Sequence, residues 1–131
     1  MDGDIFFGTA GDTLGFGAAG DDCLERGIDL NEQLASNKPA TFFTRMRGDA
    51  MEGAGIYHGD LVIIDRSLKA ASGRIVIALL NGEVMIRRLE KTFNKLRLHS
   101  ESPKASSIEI DLSSSEFSIW GVVTYAVHQV V

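Results

Sequence analysis

A glycine-rich segment between two strand-like runs holds the residues best placed to do chemistry. The runs cover residues 41–47 and 61–65, and the glycines between them are Gly48, Gly53, Gly55 and Gly59. Glycine lets a backbone turn tightly or approach a ligand closely. The same segment carries the ionisable side chains of Asp49, Glu52, His58 and Asp60. We therefore expect a loop that presents its backbone and its polar groups to another molecule.

Three kinds of site could be built from these polar residues, and the spacing favours none of them. His58 with Asp49 and Asp60 suggests a proton relay or a metal site, but a lone histidine in a glycine-rich turn is usually solvated. Asp49 and Glu52 could form a carboxylate pair of the glycosidase type, although nothing in the spacing fixes their separation. The neighbouring hydroxyls fit strand-edge or turn roles better; they belong to Thr44, Ser67 and Ser72. We expect neither a metal nor a cofactor.

The elements that must position this loop belong to a β-rich region that begins after Pro39. β-branched and aromatic residues dominate there, and turn signals recur about every 8–12 residues, which is typical of small all-β sandwiches and barrels. The predicted strands cover residues 41–47, 61–65, 74–80, 83–90, 95–100, 108–112 and 117–131. The last of them is so apolar that we expect cover on both faces, from this chain or from a second copy. We predict a mostly β domain over residues 39–131.

The dipeptide Asn81-Gly82 gives the most specific local prediction. Asn-Gly between two apolar runs predicts a two-residue type I′ hairpin turn. Such a turn fixes the register, so that Leu80 lies opposite Glu83 and Val76 lies opposite Arg87. One face of the second strand is then shared by Met85, Arg87 and Leu89.

Residues 1–38 read as an N-terminal arm with one short helix. Half of the 14 glycines fall within the first 27 residues, and the segment shows no apolar periodicity. Several isolated apolar residues favour docking in a groove over a disordered tail; they are Ile5, Phe6, Phe7, Leu14 and Phe16. Asp29 and Glu32 have the spacing of a capping box, and we predict a helix over residues 30–36 that stops before Pro39.

Charge and composition exclude several functional classes. The net charge of −5 argues against direct binding of nucleic acid, because counterion release requires clustered Lys and Arg. No apolar run approaches the ~20 residues that a membrane-spanning helix needs. Asp2 and Asp4 stand where a secretory signal would be positively charged. Cys23 is the one cysteine, so it forms no internal disulfide and we expect a reduced thiol. These features indicate a soluble, cytoplasmic protein.

Seven segments, in order and spacing, resemble the UmuD branch of the LexA/UmuD-like self-cleaving serine peptidases, peptidase family S24. They are Ile-Asp-Leu-Asn at 28–31, Ala-Thr-Phe-Phe at 40–43, Gly-Asp-Ala-Met at 48–51, Gly-Asp-Leu-Val-Ile-Ile-Asp at 59–65, Gly-Arg-Ile-Val-Ile-Ala at 73–78, Gly-Glu-Val at 82–84 and Trp-Gly-Val-Val at 120–123. The resemblance implies a small barrel-like or sandwich peptidase fold and a homodimer. It also implies a Ser/Lys dyad that cuts the N-terminal arm when a recombinase filament on single-stranded DNA stimulates it. The trimmed product would join a Y-family translesion DNA polymerase in the SOS response.

Three positions depart from that mechanism. Ala50 stands where the resemblance places the nucleophilic serine, and Arg87 stands where it places the lysine base. An alanine has no hydroxyl to attack with, and a guanidinium stays protonated near neutral pH, so it cannot accept a proton. The cleavage site would be Leu14-Gly15, where the family places a smaller residue or cysteine before the glycine.

These departures leave two interpretations open. The first is a non-cleaving pseudopeptidase that acts as a dimeric interaction module, in which the substrate or oxyanion loop of Gly48, Asp49 and Met51 binds without turnover. In that case Arg87 could hold a carboxylate of the arm or of a partner. The second is a self-processing peptidase whose nucleophile and base have been replaced for study. A repressor with a helix-turn-helix is excluded by the short, glycine-rich arm, and a signal peptidase by the lack of an anchor.

Overall fold

The described residues form one antiparallel sheet of eight strands. The computed structural model describes residues 8–9, 29–35, 37–104 and 106–131. The strands are β1 (Gly8–Thr9), β2 (Thr41–Arg45), β3 (Leu61–Asp65), β4 (Ile75–Leu80), β5 (Glu83–Lys91), β6 (Leu96–His99), β7 (Ser107–Glu109) and β8 (Phe117–Val127). Their order in the sheet is β1-β2-β3-β8-β4-β5-β6-β7. The mostly β fold expected from the sequence is confirmed.

The strands end where local hydrogen bonds turn the chain away. β2 stops at Arg45, two residues early, because the next residue, Met46, pairs with the far end of the glycine-rich loop. The prediction of a strand over residues 108–112 was wrong in position, since β7 spans Ser107–Glu109. Asp111 instead starts a turn, in which its carboxylate accepts a hydrogen bond from the Ser113 N–H at 3.0 Å. Such side-chain capping of a turn ends strand pairing.

The hairpin between β4 and β5 has the predicted geometry. Asn81 has φ 49° and Gly82 has φ 84°, as a type I′ turn requires. Leu80 pairs with Glu83 and Val76 with Arg87. The Asn81 carboxamide also accepts a hydrogen bond from the Glu116 N–H at 3.0 Å, which ties this turn to the start of β8.

Strand β8 lies in the middle of the sheet, between β3 and β4. Its pairing with β4 jumps from Gly121 to Ile119, which leaves Trp120 as an extra residue. Its pairing with β3 jumps from Tyr125 to Val123 and leaves Thr124 extra. Each bulge reverses the alternation of side chains along the strand. Only the middle of β8 is buried, and the strand ends at Val127, before the predicted residue 131.

Two apolar clusters cover the two faces of the sheet. The first, here called the loop-face cluster, contains Met46, Met51, Ile56, Val62, Ile64, Ile77 and Ile86. The second, the far-face cluster, contains Val76, Ala78, Met85, Leu89, Leu98, Ile110 and Val122. Neighbouring residues of β5 divide between them, as strand alternation requires. Three of the loop-face residues come from the glycine-rich loop, so this loop forms part of the core.

The one α-helix of the described residues, α1, spans Leu30–Leu34. Asp29 caps it by accepting a hydrogen bond from the Asn31 N–H at 2.9 Å. The helix is shorter than the predicted 30–36, because Ala35 leaves helical geometry and packs against Phe43 instead. Two short 3-10 helices follow, at Lys38–Ala40 and Glu52–Ala54. The predicted cleavage position, Leu14-Gly15, and Cys23 lie outside the described residues.

Candidate functional site

The glycine-rich loop, residues 46–60 and here called the site loop, is closed at its base by backbone hydrogen bonds. Met46 N–H donates to the Asp60 carbonyl at 2.9 Å, and Gly59 N–H donates to the Met46 carbonyl at 2.8 Å. The Arg45 guanidinium also donates to the Gly59 carbonyl at 3.0 Å. The two ends of the loop therefore stay together just beyond the last paired residues of β2 and β3, Arg45 and Leu61.

Asp60 holds the loop base through its side chain. The residue is only 2% exposed, and its Oδ2 accepts a hydrogen bond from the Tyr57 N–H at 2.9 Å. Its Oδ1 lies 2.7 Å from His128 Nδ1, and the His128 ring packs against Tyr57. A buried carboxylate needs such partners, since burying it unpaired would cost several kcal/mol. His128 thus links the segment after β8 to the site loop.

The predicted oxyanion residue Gly48 has its amide engaged. Gly48 adopts φ 89°, which strongly favours glycine, and its N–H donates to His58 Nδ1 at 2.9 Å. In this contact His58 Nδ1 is the hydrogen-bond acceptor. His58 and Asp60 therefore face different partners and do not form the relay considered from the sequence. Asp49 contributes its carbonyl, which accepts from the Glu52 N–H at 3.3 Å.

Met51 anchors the tip of the loop in the core. Its side chain is fully buried in the loop-face cluster, where Met46 and Ile56 join it from the two arms of the loop. A methionine fills irregular gaps because its unbranched side chain is flexible. Ala50, the residue before it, is half-buried in the same turn. The loop is thus held in place by packing on one side of Ala50, the position predicted for the nucleophile.

Glu101 holds the other side of that position. Its N–H donates to the Ala50 carbonyl at 2.7 Å, and its carbonyl accepts from the Gly53 N–H at 2.6 Å. The approach is so close that a Cβ on Gly53 would lie 2.9 Å from the Glu101 oxygen, so glycine is needed there. Ser100 N–H bonds to Ser106 on the β7 side. In extended chain, the amides of successive residues point to opposite sides. The Glu101 amide therefore points away from the β7 side and reaches the site loop at Ala50.

An ion pair joins Glu101 to β5. The Arg88 guanidinium donates through Nε to one carboxylate oxygen and through its terminal nitrogen to the other at 3.3 Å. A further Arg88 nitrogen donates to the Gly73 carbonyl at 2.6 Å. The hydrogen bond from Arg88 lowers the pKa of Glu101 below its ordinary value and raises the pKa of Arg88 above its own. Such two-pronged pairs fix geometry as well as charge.

Arg87, the predicted base position, precedes Arg88 on β5. It is half-buried and pairs with Val76, and its terminal nitrogen donates to the Ile86 carbonyl at 2.7 Å. Ala50 and Arg88 both bind Glu101, so the structure brings the chain around Ala50 and the chain around Arg87 to one region. Their joint role in binding or catalysis stays a prediction.

Sequence reasoning missed Glu101 and His128. Glu101 lies far along the chain from Ala50, in a stretch read as a loop, and no local signal marks it. His128 lay inside the apolar run predicted as the last strand, over residues 117–131, and had no predicted partner. A buried carboxylate at Asp60 could have prompted a search for a cation, but Asp60 stands in a glycine-rich turn that gives no sign of burial.

Two of the three hydroxyls near the loop have structural hydrogen-bond partners, and the third, that of Thr44, is buried without a hydrogen-bond partner among the described residues. Ser67 Oγ donates to the Asp65 carboxylate at 2.5 Å, and Ser72 Oγ accepts from the Lys91 N–H at 3.0 Å. Thr44 is fully buried on β2. None of the three stands at position 50, where the side chain is the methyl group of Ala50.

Comparison with known proteins fits this arrangement. The sequence profile of the family described as Peptidase S24-like matches residues 10–124, most of the chain. The chain belongs to this family. Within it, the chain is of the LexA/UmuD-like kind, with the mostly β fold described above.

The individual relatives are of two kinds, protein ImpA and LexA repressors. Protein ImpA of Salmonella typhimurium is 37% identical over 116 residues, which cover 88% of this chain and 77% of that protein. The LexA repressor of Shewanella piezotolerans is 41% identical over 83 residues, covering 63% of this chain and 40% of the repressor. The LexA repressor of Ralstonia nicotianae is 33% identical over 99 residues, 76% of this chain and 45% of the repressor. The chain therefore spans less than half the length of these repressors.

In the part of the chain that the structure describes, no helix combines the length and the apolar character needed to cross a membrane.

Proposed function

We propose that this chain is a non-cleaving S24 peptidase, a pseudopeptidase that acts as a dimeric interaction module in the SOS response. The observation that carries the proposal is Ala50, which stands at the nucleophile position of an otherwise well-ordered site loop. Met51 and Glu101 hold that loop from two sides. A family member that keeps the loop and lacks the nucleophile is suited to binding rather than turnover.

The chemistry of the two substituted positions supports this proposal. An acyl-enzyme needs a hydroxyl or thiol at position 50, and the methyl group of alanine supplies neither. The guanidinium of Arg87 only donates hydrogen bonds, so it cannot take a proton from a nucleophile. Restoring one position alone would leave the other half of the dyad missing.

The site keeps features that suit recognition. An extended peptide can bind through main-chain hydrogen bonds without any reaction. A guanidinium holds a carboxylate well because its donors match both oxygens, so Arg87 is suited to bind an acidic group of the arm or of a partner. Gly48, Asp49 and Met51 would then shape a binding loop rather than an oxyanion hole.

The proposed partners follow from the resemblance to the UmuD branch. They are a second copy of the chain, a Y-family DNA polymerase subunit and the recombinase filament, all in the cytoplasm. The relatives named LexA repressor and protein ImpA support a place in the same response. The acidic net charge of −5 favours protein partners over direct contact with DNA.

The test is incubation of the full chain under conditions that favour self-cleavage, at alkaline pH and with activated recombinase filament. We expect the chain to stay intact, as followed by mass spectrometry. The Ala50→Ser and Arg87→Lys single variants should also stay intact. A fragment beginning at Gly15 from the unaltered chain would overturn the proposal. Sedimentation over a range of concentrations tests the dimer separately.

The second interpretation, a self-processing peptidase whose dyad was replaced, is favoured by the intact anchoring of the site loop. Its test is the double variant Ala50→Ser with Arg87→Lys, which should then cut between Leu14 and Gly15. The control is the double variant Ala50→Ser with Arg88→Lys, which has the same composition but the lysine one residue away. If the first double variant stays uncut for days, the peptidase interpretation fails.

A further inference from the structure

A groove at the far end of the β5–β6 hairpin has no role in the fold or in the site loop. It lies between the hairpin turn and the turn that follows β7, has a volume of about 480 Å3, and is here called the tip groove. Its lining residues include Lys91, Phe93, Lys95, Leu96, Ile110 and Leu112. The groove adjoins the Leu96 end of β6 and Glu101 follows the other end, so this four-residue strand, about 10 Å long, separates the two regions.

Two large apolar side chains of the tip groove are exposed to solvent. Phe93 is fully exposed at 104%, and Leu112 is 65% exposed. Below them lie Leu96, half-buried, and Ile110, which belongs to the far-face cluster. Single exposed apolar residues are common on proteins, but an aromatic and a leucine that flank one concave surface mark an interaction site. Neither side chain contributes to the core, so folding does not account for them.

The charges around the groove are mostly positive. Lys91 and Lys95 are exposed on either side of Phe93, and Lys95 makes a long ion pair of 3.8 Å with Glu109. Asp111 turns its carboxylate toward its own turn, where the Ser113 N–H and hydroxyl donate to it at 3.0 and 2.7 Å. These hydrogen bonds lower the pKa of Asp111 below its ordinary value. Lys91 and Lys95 are thus the two cations among the residues that line the groove, and the one carboxylate of the lining, Asp111, is engaged by its own turn.

Two classes of ligand could use an aromatic residue between two cations. Single-stranded nucleic acid would stack a base on Phe93 and place phosphates near the lysines. Nucleic-acid binding, however, usually requires a larger basic surface, and this chain has a net charge of −5. A peptide with apolar side chains and carboxylates matches both the concave apolar floor and the two cations, and it is not repelled as a polyanion would be.

We propose that the tip groove binds a peptide segment of a partner protein that combines apolar side chains with Asp or Glu. Phe93 and Leu112 contact the apolar side chains of the segment, with Ile110 at the floor. Lys91 and Lys95 pair with its carboxylates at the rim. This binding is independent of the site loop and of the missing dyad, so it does not rest on the function proposed above.

The experiment is selection of phage-displayed random 12-residue peptides on the full chain, with counter-selection on the Phe93→Ser variant. We expect a consensus that has at least one large apolar residue and at least one acidic residue. The selected peptide is then synthesised with a fluorescent label, and its dissociation constant is measured by anisotropy. A labelled 12-nucleotide oligothymidine is measured in parallel.

The variants decide the outcome. Phe93→Ser and Leu112→Ser should each weaken peptide binding by about tenfold or more, as loss of an apolar anchor does. The pair Lys91→Gln with Lys95→Gln should weaken it and abolish its salt dependence, because both cations are removed. Leu68→Ser is the matched control, because Leu68 is 40% exposed outside the groove, and it should leave binding unchanged. Thermal unfolding confirms that all four variants are folded.

Three results would overturn the proposal. One is the absence of any consensus dependent on Phe93. A second is a consensus rich in Lys or Arg, which would show that the lysines do not select the ligand. The third is oligothymidine binding that is tighter than peptide binding and lost in Phe93→Ser, which would assign the groove to nucleic acid.

Discussion

The site loop and the tip groove are both formed by segments that connect strands, yet they differ in where their apolar residues lie. In the site loop, Met46, Met51 and Ile56 are buried in the core. In the tip groove, Phe93 and Leu112 are exposed. Folding therefore accounts for the apolar residues of the site loop, whereas it does not account for the exposed aromatic residue of the tip groove.

This difference shows what packing can reveal about function. The order of the site loop does not indicate whether the loop still acts, because its methionines also hold the fold together. The exposure of the tip groove is more informative, since an unburied phenylalanine gains nothing from folding. Four substitutions test the comparison, from the largest expected effect on the free energy of unfolding to the smallest.

Met51→Ala should destabilise the chain by about 3 kcal/mol, because truncating a fully buried methionine loses apolar burial and leaves a cavity. Leu112→Ala is the control from the tip groove and should cost less than about 0.5 kcal/mol. Urea denaturation followed by tryptophan fluorescence measures both. Equal effects for the two variants would mean that the regions do not differ in their contribution to the core.

Gly53→Ala should cost about 1–2 kcal/mol, since its Cβ would meet the Glu101 carbonyl at 2.9 Å and displace the loop. Gly55→Ala is the matched control: its φ of 84° penalises alanine, but no atom lies near its Cβ. Amide hydrogen exchange measured by NMR distinguishes the two variants. Only Gly53→Ala should speed exchange of the amides of residue 53 and Glu101. Unchanged exchange at both amides would show that Glu101 does not anchor the loop.

Glu101→Gln tests the ion pair through pH. The pKa of Glu101 is lowered in the folded chain. The ionised carboxylate therefore adds to the free energy of unfolding above the ordinary pKa of 4.5, and this stabilisation is lost as the pH falls below that value. We expect the variant to be less stable than the parent by about 1 kcal/mol at pH 7, since the pair is partly exposed.

That difference between parent and Glu101→Gln should shrink as the pH is lowered from 5 toward 3. Urea denaturation at several pH values measures it. Glu109→Gln is the control, because its ion pairs are more exposed, and it should change stability little at any pH. A gap for Glu101→Gln that widens in acid would contradict the assigned ion pair.

Phe93→Ser should leave the free energy of unfolding within about 0.5 kcal/mol of the parent, because the ring is exposed and leaves no cavity. Phe43→Ser, on a buried ring of β2, should by contrast cost about 3 kcal/mol or more. Thermal unfolding detects both. A large loss for Phe93→Ser would give the ring a structural role and remove the reason for assigning it to a partner.

Local signals in the sequence were sufficient for part of the fold. Asn81-Gly82 predicted the turn and the register of β4 and β5, because that turn type demands positive φ at both positions. The run Leu61–Asp65, apolar in its first four residues, predicted β3 to the residue. Asp29 predicted the start of α1 through its capping side chain. In each case neighbouring residues alone determine the geometry.

Features that depend on distant contacts could not be predicted. The contact of Glu101 with Ala50 and that of His128 with Asp60 join segments far apart in the chain, and no pattern links them. The two bulges of β8 arise from pairing with β3 and β4 at once, which one strand's sequence does not show. The end of α1 was misjudged because packing of Ala35, a tertiary contact, stopped the helix.

The central position of β8 has a consequence for how the chain acquires its structure. Among the described strands, β3 and β4 follow one another in sequence but are not paired; each is joined to β8, which begins 52 residues after the end of β3 and 37 residues after the end of β4. During synthesis the part of the sheet from β1 to β3 and the part from β4 to β7 cannot join until β8 has left the ribosome. Until then the backbone groups at the β3 and β4 edges have no strand to pair with. Such delayed closure slows folding and leaves the nascent chain dependent on protection against aggregation.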